Sequence, residues 1–204
     1  MYGPRDNLFL PNILEAAGTG RLRILGTGKN KICFTHVDNY CHGLLIAEKA
    51  LYKGSPALGK FYIVTDGATH THEEGYGYLY EELDKAVVGM GWESVYNKWR
   101  IPTWILFPIA YLCLFITYLT GIRIKLTPFV VLMMSMNRYF AWTNAERDLH
   151  YKPIVSFREE WPKTIAWFRE HWLPIFEKSN KGMTGLYSGT QRKIDIQAAG
   201  KKKK

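Results

Sequence analysis

The chain has 204 residues, 47% of them apolar and 22% charged, which suits one domain with a hydrophobic core and excludes a chain disordered as a whole. Its formal charge of +9 is unevenly placed: from Lys178 onward there are eight Lys or Arg against Asp195 alone, a net of +7, leaving +2 for the rest. A basic tail on a near-neutral body argues against a nucleic-acid surface, and three cysteines without a CxxC pair (Cys33, Cys41, Cys113) argue against a zinc site or a disulfide framework.

The first twelve residues lack the basic-then-apolar order of a signal peptide. Asp6 or Asn7 is placed to open a short helix over 12–17, stopped by Gly18 and Gly20. Residues 22–25 and 32–36 read as short strands around a turn at 26–30. Asp38 is a candidate N-cap for a helix reaching Leu51, with Leu44, Leu45, Ala47 and Leu51 on its apolar side. The run KFYIVT at 60–65, bounded by Gly59 and Asp66-Gly67, reads as a buried strand, and a helix over 73–88 follows.

From Ile101 to Ile122 there is no charged residue, and a helix needs about 20 residues to cross a bilayer core. Trp104 and Tyr118 stand near its ends, with Lys98 and Arg100 before it and Arg123 and Lys125 after it, the arrangement of interfacial anchors. A shorter apolar run, 129–136, comes next. Thr143 or Asn144 starts a helix that ends near His150. Ser156 and Glu159 then form a capping box for a helix over 157–178, in which Trp161, Ile165, Phe168, Trp172 and Phe176 recur at three-to-four spacing. The expected organisation is an α/β portion over 1–100, a membrane-associated segment over 101–126, a helical portion over 127–178 and a flexible basic tail over 179–204.

Little in this order carries chemistry by itself. The glycines at 18, 20, 26 and 28 lie before or between strands and read as turns, whereas a dinucleotide fingerprint lies between a strand and a helix. His70 and His72, followed by Glu73 and Glu74, have no second ligand group at a metal-site spacing and read as a solvated loop. His36 and His42 read as packed, hydrogen-bonded residues. No nucleophile motif is present, so neither a catalytic residue nor a metal ligand is expected in these residues.

Four stretches taken together resemble the 3β-hydroxysteroid dehydrogenase/isomerase family of extended short-chain dehydrogenases. They are Tyr2-Gly3-Pro4-Arg5-Asp6 with Leu10-Pro11, Phe34-Thr35-His36-Val37-Asp38-Asn39, Phe61 to Gly67, and Asn144 to Pro153, where His150 replaces the usual glycine. The resemblance covers roughly residues 1–175 and is nearest to members that oxidise 4-carboxysterols. It implies an α/β fold, the C-terminal substrate-binding part of an extended Rossmann-type dehydrogenase, with an added apolar membrane helix. It implies NAD or NADP as cofactor, held chiefly by a nucleotide loop and a Tyr-x-x-x-Lys pair that these 204 residues lack, so that the chain alone is expected to be inactive. Tyr2, Gly3 and Pro4 would lie near the nicotinamide, while Leu8, Phe9 and Leu10 would face the substrate. Ile32 stands where sugar-nucleotide members carry a phosphate-binding arginine, and suits a sterol instead. The implied partners are a sterol or steroid and a membrane, without nucleic acid, and homo-oligomerisation is left open. A Δ5–Δ4 isomerase and a non-catalytic sterol-binding remnant are the alternatives. Lys201 and Lys202, fourth and third from the end, resemble a dilysine retrieval signal, which would place the chain in the endoplasmic reticulum membrane with a cytosolic C-terminus.

Overall fold

The computed structural model describes residues 1–122, 124 and 126–178. The tail expected at 179–204, including Lys201 and Lys202, and the flanking cations Arg123 and Lys125 lie outside the described residues. Among the described residues eight α-helices carry the fold: α1 (Leu10–Gly18), α2 (Val37–Lys49), α3 (Leu79–Gly89), α4 (Thr103–Thr120), α5 (Pro128–Ser135), α6 (Thr143–Leu149), α7 (Phe157–Trp167) and α8 (Leu173–Lys178). Two short strands, β1 (Lys31–Ile32) and β2 (Gly77–Tyr78), pair antiparallel with Lys31 opposite Tyr78 and Ile32 opposite Gly77.

Local chemistry explains the helix ends. Asp6 accepts hydrogen bonds from the backbone N–H of Leu8, Phe9 and Leu10, so α1 begins two residues earlier than its apolar pattern suggests. Helix α2 is capped by His36, whose Nδ1 accepts from the N–H of Asp38 at 3.2 Å; Asp38 itself sits in the first turn. Residues 73–76 form a turn before β2, and α3 starts only at Leu79. Ser156 makes no side-chain cap. Its carbonyl accepts from Glu159 and Glu160 instead, so the expected capping box is absent. Between α7 and α8, residues Phe168–Trp172 widen into a π-turn. Pro174 explains the widening, since it has no N–H for the carbonyl four residues back and its ring crowds that carbonyl.

The main core joins both ends of the described chain. Tyr2, Leu10, Leu14, Ile24, Phe34, Leu79, Tyr80 and Leu83 pack with Phe157, Trp161 and Phe168. Tyr2 sets its ring edge-on against Phe34, His36, Phe157 and Trp161. Gly18 and Gly89 are fixed by close approach: a Cβ would lie 2.6 Å from the Phe176 ring and 2.4 Å from Ile165, respectively. His70 is a correction. It is fully buried, stacked on Phe157 at 3.8 Å and parallel to Phe34, and is not part of a solvated loop.

The expected strands mostly fail to form ladders. Residues 22–25 and 32–36 do not pair as a hairpin; Leu25 bridges Ile101, and Ile32 lies between Gly77 and Arg138. Residues 60–65 form no strand with any of the described residues, and Phe61 is 84% exposed. Most of the apolar side expected on α2 is likewise uncovered, with Leu44, Leu45 and Leu51 exposed and Ala47 alone of that side packed against the small cluster. A strand is completed only by its neighbour's backbone, and no such neighbour flanks this segment among the described residues.

Candidate functional site

Three of the family-like stretches meet in one buried hydrogen-bond network. Asp66 Oδ1 accepts from the His36 backbone N–H at 2.8 Å and from Asn39 Nδ2 at 2.7 Å. Asn39 reaches on, its Oδ1 accepting from Ile154 and Val155 and its Nδ2 donating to the Val155 carbonyl. Tyr151 donates its hydroxyl to the Thr65 carbonyl at 2.9 Å. The fourth stretch joins through Tyr2, which exchanges backbone hydrogen bonds with Thr35 and Val37. Burial pushes the Asp66 carboxyl up, against the pull of its donors, and pushes the Tyr2 phenol well above its usual range with help from the Asp66 charge. Tyr2 Oη and Asp66 Oδ2 are close, yet neither completes a hydrogen bond of normal geometry. This network ties together segments that are far apart in the sequence.

An open cleft of about 170 Å³ is lined by Met1, Phe9, Ile32, Cys33, Phe34, Arg138 and Phe140. It brings together two of the four residues expected at the substrate, Phe9 and Ile32. Leu8 is 69% exposed to solvent, and Leu10 is buried in the main core. The spread follows from the start of α1, where residues 8, 9 and 10 fan out around the first turn. Of the three residues expected near the cofactor, Tyr2 and Gly3 are buried and Pro4 is exposed. A Cβ on Gly3 would meet Val37 at 2.9 Å and His36 Nε2 at 3.3 Å, so this glycine answers to packing within the chain.

Arg138 was not legible from sequence as a site residue. It arrives beside Ile32 because its N–H donates to the Lys31 carbonyl at 2.7 Å and its carbonyl accepts from Cys33 N–H at 3.2 Å. Its Nε is buried, with no hydrogen-bond partner among the described residues. Burial pushes the Cys33 thiol up while the Arg138 charge pulls the other way. Among the described residues no group of three or more His, Cys, Asp or Glu could hold a metal ion.

No protein-family model matches the chain. It is 33% identical over 178 residues to 3β-hydroxysteroid-dehydrogenase/decarboxylase isoform 2 of Arabidopsis thaliana, covering 82% of this chain and 30% of that protein. It is 28% identical over 174 residues to the human sterol-4-alpha-carboxylate 3-dehydrogenase, decarboxylating, covering 83% of this chain and 44% of that protein. Over about four fifths of its length the chain is thus similar to 3β-hydroxysteroid dehydrogenases/decarboxylases and sterol-4-alpha-carboxylate 3-dehydrogenases. A further relative, the 2-alkyl-3-oxoalkanoate reductase of Stenotrophomonas maltophilia, is 30% identical over 165 residues, with 78% of this chain and 46% of that protein covered. The chain thus spans less than half the length of these relatives. The crystal structure of gox2253 superposes with a TM-score of 0.54 at 22% identity, over 83% of this chain and 47% of that one. An epimerase from Methanothermobacter thermautotrophicus, Mth375, follows at 0.50 and 20%, over 87% and 43%. The fold is therefore that of part of a Rossmann-type architecture, even though the described residues form a sheet of only two short strands.

Proposed function

We propose that this chain forms the substrate side of a membrane-bound, NAD(P)-dependent dehydrogenase for a 3-hydroxy carboxylic acid of sterol type, such as a sterol 4α-carboxylate. The observation that carries this reading is Arg138: one guanidinium with an unpartnered Nε, on the wall of a cleft otherwise lined by Phe9, Ile32, Phe34, Phe140, Met1 and Cys33. Two relatives act, by name, on compounds that share a chemistry. In a sterol 4α-carboxylate the carboxylate sits on the carbon next to C3, and in a 2-alkyl-3-oxoalkanoate it sits on the carbon next to the oxo carbon. At the oxidised level both are 3-oxo acids. Such a molecule has an apolar body and one anionic head. A guanidinium meets the head with paired hydrogen bonds, and the ring and aliphatic side chains meet the body.

In this reading oxidation takes hydride from C3 and a proton from its hydroxyl. The 3-oxo acid then loses CO₂ as the electrons of the bond to the carboxylate move into the adjacent carbonyl, and the enolate formed takes up a proton. NAD or NADP would accept the hydride. Tyr2 and Gly3, covered by His36, Val37 and the core rings, do not fit a contact with a nicotinamide, and only Pro4 offers it an exposed surface. The part played by the chain's own residues is to bind and orient the acid.

Equilibrium dialysis of the 204-residue chain in detergent, with a 4α-carboxysterol and its methyl ester as probes, tests this. The acid should bind at least tenfold more tightly than the ester, and Arg138→Met should remove the preference while leaving the circular dichroism unchanged. Equal binding of acid and ester would remove Arg138 from the reading. Failure to bind either probe would overturn the substrate-side assignment itself.

A further inference from the structure

The helix α4 has 18 residues, an apolar composition and only 11% of its length covered by the protein, so by length it could cross a bilayer. We infer that it does not: α4 and α5 form a hairpin that lies in one leaflet, entering and leaving by the same face of the membrane. This inference rests on the membrane attachment in the proposed function and specifies its geometry.

The first argument is the continuity of the core. Residues before α4 (Tyr2, Leu10, Leu14, Leu83) and after α5 (Phe157, Trp161, Phe168) share one buried cluster. A single crossing would place these two sets on opposite sides of about 30 Å of hydrocarbon and pull that cluster apart. Both ends of the apolar stretch are moreover pinned to the same short segment. Ile101 exchanges hydrogen bonds with Ile24 and Gly26 at 2.9 and 2.8 Å, and Arg138 exchanges them with Lys31 and Cys33. The Tyr80 hydroxyl links the two ends, accepting from Leu25 N–H and donating to the Met134 carbonyl.

The second argument excludes a deep hairpin that dips to the far leaflet and returns. Helix α5 has eight residues, about 12 Å of rise, too short to return across the core as a helix. The remainder of the return would be irregular backbone, which lipid does not satisfy. The connection between the two helices also carries Arg123 and Lys125, two charges that hydrocarbon does not accommodate. Both ends of α4 therefore belong at the headgroup level. Its covered side, Leu106 and Ala110, packs on Val131 of α5 and on Leu25 and Ile101. The opposite side offers Trp104 (74% exposed), Leu112, Phe115 and Tyr118 (85% exposed). Exposed Trp99 and Arg100 stand at its base, where an aromatic ring and a cation meet anionic headgroups.

The test uses the full chain bound to sealed vesicles of phosphatidylcholine and phosphatidylserine, the anionic lipid serving to attract basic residues near the surface. In a background with Cys33, Cys41 and Cys113 changed to Ser, a membrane-impermeant maleimide is offered to the variant retaining Cys41 and, separately, to Glu177→Cys. Both should react from the same side. A nitroxide on Leu112→Cys should report a depth of roughly 5–10 Å, as for an in-plane helix, against about 15 Å for the midpoint of a span. Labelling from opposite sides, or a midpoint at the bilayer centre, would overturn the hairpin and leave the membrane reading standing. A chain that stays in solution would overturn the membrane reading, and the hairpin with it.

Discussion

Two regions of this molecule have similar apolar sequence and opposite fates. Around Tyr2, rings from the first forty residues and from α7 close on one another, and Phe34, Phe157 and Trp161 are all buried. Around α2 and residues 60–65 the sequence is as apolar, yet Leu44, Leu45, Leu51 and Phe61 stay exposed, and the buried set beneath them is small: Ala57, Ala145, Leu149 and Tyr151. An apolar run states that a surface wants covering; it does not state that the same described residues cover it. The inner faces of α1, α3 and α7 find partners in one another, while much of the α2 face and the run at 60–65 need neighbours that the described residues do not provide.

The largest expected effects separate the two regions directly. Phe157→Ala removes a ring that stacks on His70, Phe34 and Trp161 and should cost about 3–5 kcal/mol. Leu45→Ser, at a position 59% exposed, and Phe61→Ser should each stay within about 0.5 kcal/mol. Denaturant midpoints of the three variants measure this. A loss above about 2 kcal/mol for Phe61→Ser would break the comparison, because it would mean that the flank is covered in solution.

The same contrast explains what was legible. Helices α1, α6 and α7 follow from periodicity and breakers, since their signals lie within a few residues, and Trp161, Phe168 and Phe176 are buried as their spacing suggests. The strand pairings are not local, so Leu25 meeting Ile101 and Ile32 meeting Arg138 left no mark in either segment. His70 stands in the polar string His70 to Glu74, and only the arrival of Phe34 and Phe157 makes it a core residue. The cleft was half legible: Phe9 and Ile32 came from family likeness, whereas Arg138, 106 positions after Ile32, stands in no motif.

A second, intermediate effect concerns pH within the aromatic region. Burial pushes the His70 imidazole down to about 4, with the charges of Lys85 and Arg158 acting the same way. Its ordinary value of about 6.5 applies in the unfolded chain. The unfolded state therefore binds the proton first. The stability His70 contributes is present above pH ~6.5 and is lost as pH falls toward 4, by at most roughly 3 kcal/mol. Asp66 works in the opposite sense, because a buried carboxyl with a raised pKa is relieved by protonation. His70→Asn keeps an acceptor for the Thr71 N–H, which His70 Nδ1 now serves at 2.9 Å, and should flatten the acid limb. Urea midpoints at pH 7 and 4.5 measure it. An equally steep limb in the variant would assign the acid sensitivity elsewhere.

The smallest effect probes the flank alone. His150 ends α6 with φ of 53°, in the left-handed region, where a Cβ costs roughly 1 kcal/mol and glycine costs nothing sterically. The family-like stretch around it ordinarily has glycine, and the geometry supplies the reason: the chain must reverse here so that Tyr151 N–H can reach the Ala145 carbonyl and its ring can enter the small cluster with Leu149. His150→Gly relieves the steric term and adds chain entropy to the unfolded state, and the two offset incompletely, leaving a gain of about 0.5 kcal/mol. Because α6 packs on Ile46, Ala47, Tyr62 and Val64 rather than on the aromatic core, the gain should fall on the flank. Native-state hydrogen exchange should show slower opening of amides in α2 and α6, with those in α3 and α7 unchanged. Equal slowing in all four helices would show that the two regions unfold as one unit, and the difference drawn between them would then concern exposure and not cooperativity.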